Sequence, residues 1–222
     1  MEKVEQAILI ALVVFALISI ADKYKKDIDS SINLPVNVVI VKGELGSERD
    51  LNGISKLIEN INEVWHQANI SFELKDIETV EVDSDKIKDA LKGDGKIFAA
   101  IDGYDENSIN MFFIKNMSYN GISFPEQRIV VMPDKTTNLE HVAAAHELGH
   151  VVGLDHNPED EYLMFSVCND TAVTFTEILD ARKNAKSLLN SFDSMMLTPI
   201  SIGFKINSLM VLPNIAIEFT IM

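Results

Sequence analysis

Cysteine is all but missing from this chain: Cys168 is the only one in 222 residues. A single thiol excludes an intramolecular disulfide framework and any zinc or iron–sulfur cage built from several cysteines. Export is compatible with that composition; dependence on disulfides is not. Cations are scarce too, nineteen Lys and Arg against thirty-four Asp and Glu, for a formal charge of −15. Such a surface repels phosphate backbones, so no nucleic-acid partner is expected. The acidic balance reads as solvation before partner selection. With 47% hydrophobic and 24% charged residues the chain is too apolar to be disordered. Its length suits one domain with a core of its own. It shows no long internal repeat or low-complexity tract.

The apolar residues crowd the two ends. Ala7 to Ala21 (AILIALVVFALISIA) carries one hydroxyl, Ser19, and no charge. As a helix it would span about 22 Å, short of the ~30 Å hydrocarbon core of a bilayer. It sits at the upper limit of a signal-peptide apolar region, and Ser19-Ile20-Ala21 supplies small residues for cleavage. Glu2 and Glu5 offset Lys3 ahead of it, while Lys23, Lys25 and Lys26 follow it and favour cytoplasmic retention of that flank. Residues 1–21 are thus expected to be a signal peptide or membrane anchor, and residues 22–33 a linker. The domain that follows is expected to lie outside the cytoplasm, membrane-anchored or secreted. Met195 to Met222 is also apolar, but Pro199, Gly203 and Pro213 break it too often for a spanning helix. It reads as extended segments or a tail, and residues 193–222 are given no role.

Between the ends the pattern is mixed α/β. Leu34 to Val41 is rich in β-branched residues and predicts a buried strand. Ile54, Leu57, Ile58, Ile61, Val64, Trp65 and Ala68 recur at helical spacing. Ile70 to Val82 predicts a second strand, Asp85 to Leu91 a short helix, and Gly93-Asp94-Gly95 a turn. Ile109 to Ile114 predicts a third strand, followed by Ile122-Ser123-Phe124-Pro125 and Arg128 to Met132. The proline assigns Ile122–Phe124 to a sheet edge, where no ladder partner is lost.

The chemistry is concentrated in Thr137 to Gly153, TNLEHVAAAHELGHVVG. Thr137 and Glu140 have capping-box spacing, and Gly153 supplies a stop. In an otherwise apolar helix stand His146, Glu147 and His150. Residues i and i+4 share a helical face about 6 Å apart, so two imidazoles can reach one ion at about 2.0–2.1 Å each. Glu147 lies one position round, suited to a water molecule rather than to the ion. Gly153 turns the chain at little cost, and His156 is placed to return as a third nitrogen ligand. Three neutral histidines leave one corner of a tetrahedral zinc free for solvent, the pattern of a catalytic site. At ordinary residue frequencies a five-position match, HExxHxxGxxH, arises by chance about once in 10⁵ chains of this length.

His146-Glu147-Leu148-Gly149-His150-Val151-Val152-Gly153-Leu154-Asp155-His156 resembles the zinc-binding consensus of the metzincin metallopeptidases, nearest to their matrixin-like branch. The resemblance covers about residues 34–192. It implies an α+β catalytic domain with a twisted, mixed five-stranded sheet, an active-site helix and a C-terminal helix, preceded here by the hydrophobic N-terminal helix. It implies one zinc ion on His146, His150 and His156, with Glu147 as general base and then acid in peptide-bond hydrolysis. It implies a methionine turn under the metal, for which Met164 in Tyr162-Leu163-Met164-Phe165 is the candidate, with Gly153 also supporting the site. A peptide substrate would add as a strand beside Ile122, Ser123 and Phe124. Thr174 and Glu177 cap a run whose Ile178, Ala181, Ala185, Leu188, Leu189 and Phe192 form one face, the family's closing helix.

Departures from the family are specific. Only a dozen residues separate Ala21 from Leu34, too few for a propeptide with a zinc-blocking cysteine, and Cys168 lies downstream of the histidines. Cys168 reads as a small buried hydrophobe. Some metzincins carry a tyrosine two residues after the turn methionine; here that position is Ser166. The four-cysteine zinc site of archaemetzincins is beyond this chain. Asp102 to Asn107 offers oxygen ligands of the kind calcium takes, a common structural ion in the family. It lacks EF-hand spacing, and an ordinary acidic loop is preferred. His141 and His66 read as bystanders and Met111, Met117 and Met132 as core filler. Asn69, Asn116 and Asn169 stand in N-x-[ST] sequons. The rival reading is a membrane-tethered, zinc-stabilised binding module without hydrolysis, which has no use for Glu147. Oligomeric state is not encoded in these patterns.

Overall fold

In the computed structural model the described residues are 12–16, 18–19, 22–23, 25, 28–167 and 170–196. Five strands form one sheet: β1 (Ile32–Lys42), β2 (Ile70–Glu81), β3 (Ile109–Ile114), β4 (Ile122–Phe124) and β5 (Ile129–Pro133). Their order is β2-β1-β3-β5-β4. The first four in that order are parallel, and β4 alone runs antiparallel to its neighbour β5. The mixed sheet with one antiparallel edge strand is therefore borne out.

Helices cover both faces, which is why the inner strands are continuously apolar rather than alternating. On one face pack α1 (Leu51–Trp65), α4 (Glu140–Val151) and α5 (Phe175–Met196). Val36, Val38 and Ile40 of β1 point into this layer with Met111, Phe113, Val130 and Met132. On the other face, α2 (Ser84–Ala90) and α3 (Gly95–Ala99) cover Val39, Val41, Phe112, Val131 and Phe124. Period-two alternation thus feeds two cores from one sheet. The far edge, β2, is guarded by charge: Glu73, Lys75, Asp76, Glu78 and Glu81 blunt it against pairing.

Several expectations need adjustment. The first strand begins two residues before Leu34, and the closing helix runs on to Met196. The Gly93-Asp94-Gly95 turn opens a short helix of its own, because the Asp94 side chain caps the Lys96 amide at 3.0 Å. Thr137 does not cap the active-site helix; Leu139 holds the cap position with no side-chain bond. Instead Asn120 Oδ1 accepts from the Thr137 amide and hydroxyl, at 2.7 and 2.9 Å. The Thr174–Glu177 box does form, with bonds of 2.8 and 3.2 Å in the two directions.

Of the hydrophobic N-terminal segment, Leu12–Ala16, Ile18 and Ser19 are helical, with Leu12, Val13, Val14, Phe15 and Ile18 exposed. Its other residues, like Cys168, Asn169 and residues 197–222 of the tail, lie outside the described residues. Among the described residues no helix is long and apolar enough to cross a membrane.

Candidate metal centre

The active-site helix α4 is nearly all buried, and small side chains make this feasible: Ala143, Ala144 and Ala145 let it lie close to its neighbours. Its first turn is braced by Arg49, whose guanidinium pairs with Glu140 and donates to the carbonyls of Pro133 (3.1 Å) and Asp134 (3.2 Å). Arg49 also stacks on Phe113, 4.5 Å from the ring centre. Further along, the Trp65 indole N–H of α1 donates to the Ala145 carbonyl at 3.2 Å. The residue before His146 is therefore fixed from a second helix.

Beyond α4 the chain doubles back. Gly153 sits at φ +82°, a left-handed conformation that glycine adopts freely, and a Cβ there would overlap the Asn184 side chain of α5. The return brings His156 to the other two histidines. His150 Nε2 lies 3.1 Å from His146 Nε2 and 3.2 Å from His156 Nε2. Among the described residues this is the one cluster of metal-ligating groups.

The ring orientations identify what the cluster is for. His146 Nδ1 is 2.8 Å from the Leu163 carbonyl and His150 Nδ1 is 2.8 Å from the Leu154 carbonyl. A carbonyl only accepts, so both Nδ1 atoms carry the proton and both Nε2 lone pairs face inward. Inward lone pairs repel one another unless a cation stands between them. Two nitrogens held at 2.0–2.1 Å by one tetrahedral ion are about 3.3–3.4 Å apart, close to the separations seen here. Burial, above all, pulls His146 down to about 4, with small additions from His150 and His156 against the Leu163 bond. Burial and His150 also lower His156, opposed by Asp155. Both shifts favour the neutral, ligand-competent imidazole.

Glu147 lies against Gly121, just ahead of β4, and lines the same cavity as His146. Burial raises its pKa, while the Ser123 hydroxyl and His150 oppose the rise. Met164 is fully buried, and a Cβ on Gly149 would overlap its sulfur. The turn that carries Met164 is tied in by Asn157, whose amide donates to the Met164 carbonyl at 2.8 Å and whose side chain donates to Glu177 at 2.9 Å. Ile122, Ser123 and Phe124 form the terminal strand β4, paired only with β5 among the described residues. A cavity of about 390 Å³ lies beside His146 and Glu147, lined by Met117 to Gly121, Asn138, Ser166 and Val167.

Other residues fall elsewhere. His66 is exposed on the 3-10 turn after α1, and His141 is not part of the cluster. Met111 and Met132 are buried core residues, and Met117 packs against the second core. In the acidic loop, Asp105 is occupied by Lys75 (2.7 Å), Ser108 (2.5 Å) and the Asn107 amide (3.0 Å). A larger cavity of about 790 Å³ adjoins that loop, far from the histidines in sequence and without a metal-ligating cluster. The ring-orienting carbonyls of Leu154 and Leu163 have no sequence signature, since any residue carries one. Gly121, by contrast, stands two residues before Ser123, immediately ahead of β4, and period two could have pointed to it.

The sheet, the helix over it and the three converging imidazoles define the catalytic domain of a zinc-dependent peptidase. The matrixin family model matches residues 50–183, more than half of the chain, and the chain belongs to that family. Among solved structures, mature mirolysin from Tannerella forsythia, in complex with a cleaved peptide, has a TM-score of 0.52 at 12% identity. That match covers 77% of this chain and 100% of mirolysin, and at such identity it is a likeness of fold. A chain in a chaperone–substrate complex matches at TM-score 0.49 and 12% identity over 72% of this chain, which spans only 35% of that one. A zinc-dependent peptidase from Methanocorpusculum labreanum matches at TM-score 0.41 and 13% identity, over 66% of this chain and 99% of that one. A search of curated proteins finds no match.

Proposed function

We propose that this chain is an endopeptidase that cuts extended peptides bound along β4, with Glu147 as general base. His146, His150 and His156 would hold the zinc. A bound zinc ion would lower the pKa of a water molecule there towards about 7 and polarise the scissile carbonyl. The carboxylate of Glu147 takes the proton from the attacking water and returns it to the departing amine nitrogen. Glu147 suits both halves of that cycle, because its partly buried setting raises its proton affinity from the ordinary carboxylate range. The outer edge of β4 offers backbone groups to a peptide in extended form, and an open edge accepts the middle of a chain as readily as its end. Gly153 and Met164 hold the ligand loop and the floor. The domain, residues 34–192, is proposed to lie outside the cytoplasm, delivered or tethered by the apolar run from Ala7 to Ala21.

The convergence of three inward-facing Nε2 atoms next to a carboxylate carries this reading. Its test is digestion of casein by the full chain with and without chelator, with product masses and zinc content from the same sample. Internal cleavage that chelation abolishes is the expected result. Glu147→Ala should retain the zinc and lose cleavage; hydrolysis at the wild-type rate would overturn the assignment of the base. Zinc retention with no cleavage by the native chain would favour a tethered binding module, and release of terminal residues alone an exopeptidase.

A further inference from the structure

Strand β4 has two faces with different work. Ile122 and Phe124 turn into the core beneath α2 and α3, whereas Ser123 and the residue just before the strand, Gly121, lie on the side of Glu147. A Cβ at Gly121 would lie 2.7 Å from Glu147 Cγ, 3.2 Å from its Oε1 and 3.0 Å from the Met132 sulfur. No side chain fits there while Glu147 keeps its place. Two residues on, Ser123 alternates with Ile122 and Phe124 and so lies on the same side as Gly121, where its hydroxyl opposes the burial-driven rise in the proton affinity of Glu147. A glutamate has three rotatable bonds, and nothing in α4 itself fixes the third of them.

We propose that β4 and the residue just before it position the Glu147 carboxylate, Gly121 by leaving room for its stem and Ser123 by offering its hydroxyl to one of its oxygens. Both are positioning residues acting through Glu147, and the inference rests on the reading of Glu147 as the base. The strand that would receive the peptide would then also aim the group that activates the water. Glu147 is carried by α4, and its contacts with the strand would couple the placement of the base to that of the substrate.

The test uses the full chain and four variants: Gly121→Ala, Ser123→Ala, Ser123→Thr and Glu147→Gln. One readout is kcat and KM on a quenched fluorogenic peptide made from a casein site that the protein cuts. The other is the carbon spectrum of zinc-free protein labelled at glutamate Cδ, in which Glu147→Gln identifies the Glu147 signal. Misplacing a reacting group by about 1 Å costs on the order of 100-fold. Gly121→Ala and Ser123→Ala are therefore expected to lower kcat by about 10- to 100-fold while KM stays within about twofold. Both should keep the zinc and move the Glu147 signal, and Ser123→Thr should restore rate and signal. Unchanged kcat and signal in Ser123→Ala, with Glu147→Gln inactive, would overturn this inference and leave the base assignment standing. An active Glu147→Gln would instead remove the base assignment, and the carbon signal alone would then decide whether β4 holds the carboxylate. Should Gly121→Ala fail to fold, the two Ser123 variants decide.

Discussion

The carbonyl oxygen of Leu163 lies 2.8 Å from Nδ1 of His146, and the next residue, Met164, is fully buried against Gly149 of the same helix. The methionine turn is thus joined to the metal site by a backbone bond, not by its sulfur. Met164 fills the space that keeps the Leu163 carbonyl at ring height, and Gly149 is small so that the sulfur can enter.

Met164→Ala is accordingly expected to act twice. Removing a buried methionine side chain costs about 2–5 kcal/mol of stability, depending on how far the site collapses. The turn would then relax and the Leu163 carbonyl would drift, freeing the His146 ring and weakening zinc binding. Urea denaturation and competition against a chelator measure the two effects. Stability lost with zinc affinity unchanged would show that the carbonyl does not orient the ring.

How much of this was legible depends on which atoms carry the information. Ile109 to Ile114 was readable to the residue, because a buried parallel strand is a plain apolar run. The three histidines were readable because ligand spacing on a helix is periodic. Thr137 was misread because its partner, Asn120, is seventeen residues away and no local rule sees it. Arg182 was hidden for a related reason. A helix pattern places an arginine on the wet face, yet this one is fully buried, donating to the Ala68, Asn69 and Ser30 carbonyls. Backbone acceptors such as Leu163 leave no mark in a sequence, and only the fold discloses them.

The link between α1 and α4 gives a second expectation. Trp65 is the chain's only tryptophan, is fully buried, and donates to the Ala145 carbonyl. Trp65→Phe keeps most of the apolar contact and deletes one neutral hydrogen bond, worth about 0.5–1.5 kcal/mol. Trp65→Ala adds a cavity and should cost about 3–5 kcal/mol. Far-ultraviolet circular dichroism during urea unfolding reads both without needing the lost fluorophore. Equal stability of the phenylalanine variant and the native chain would mean that the Ala145 carbonyl is served by its own helix alone.

Acid sensitivity should trace in part to Asp105. Burial is the largest influence on its carboxyl and by itself raises the pKa. The Lys75 ammonium, the Ser108 hydroxyl and the Asn107 amide together outweigh it, leaving the folded value below the usual carboxylate range. A carboxylate with a depressed folded pKa binds fewer protons folded than unfolded, so stability rises with pH across that interval. Its contribution is whole above the unfolded value of about 3.9 and fades as pH falls through the lower folded value. Asp105→Asn should therefore destabilise the fold by a constant amount near neutrality, with the gap to the native chain closing as pH drops below about 4. Urea midpoints at a series of pH values, with chelator present to remove any metal dependence, measure that gap. A gap that stays the same down to the acid transition would show that the Lys75, Ser108 and Asn107 contacts do not favour the charged form.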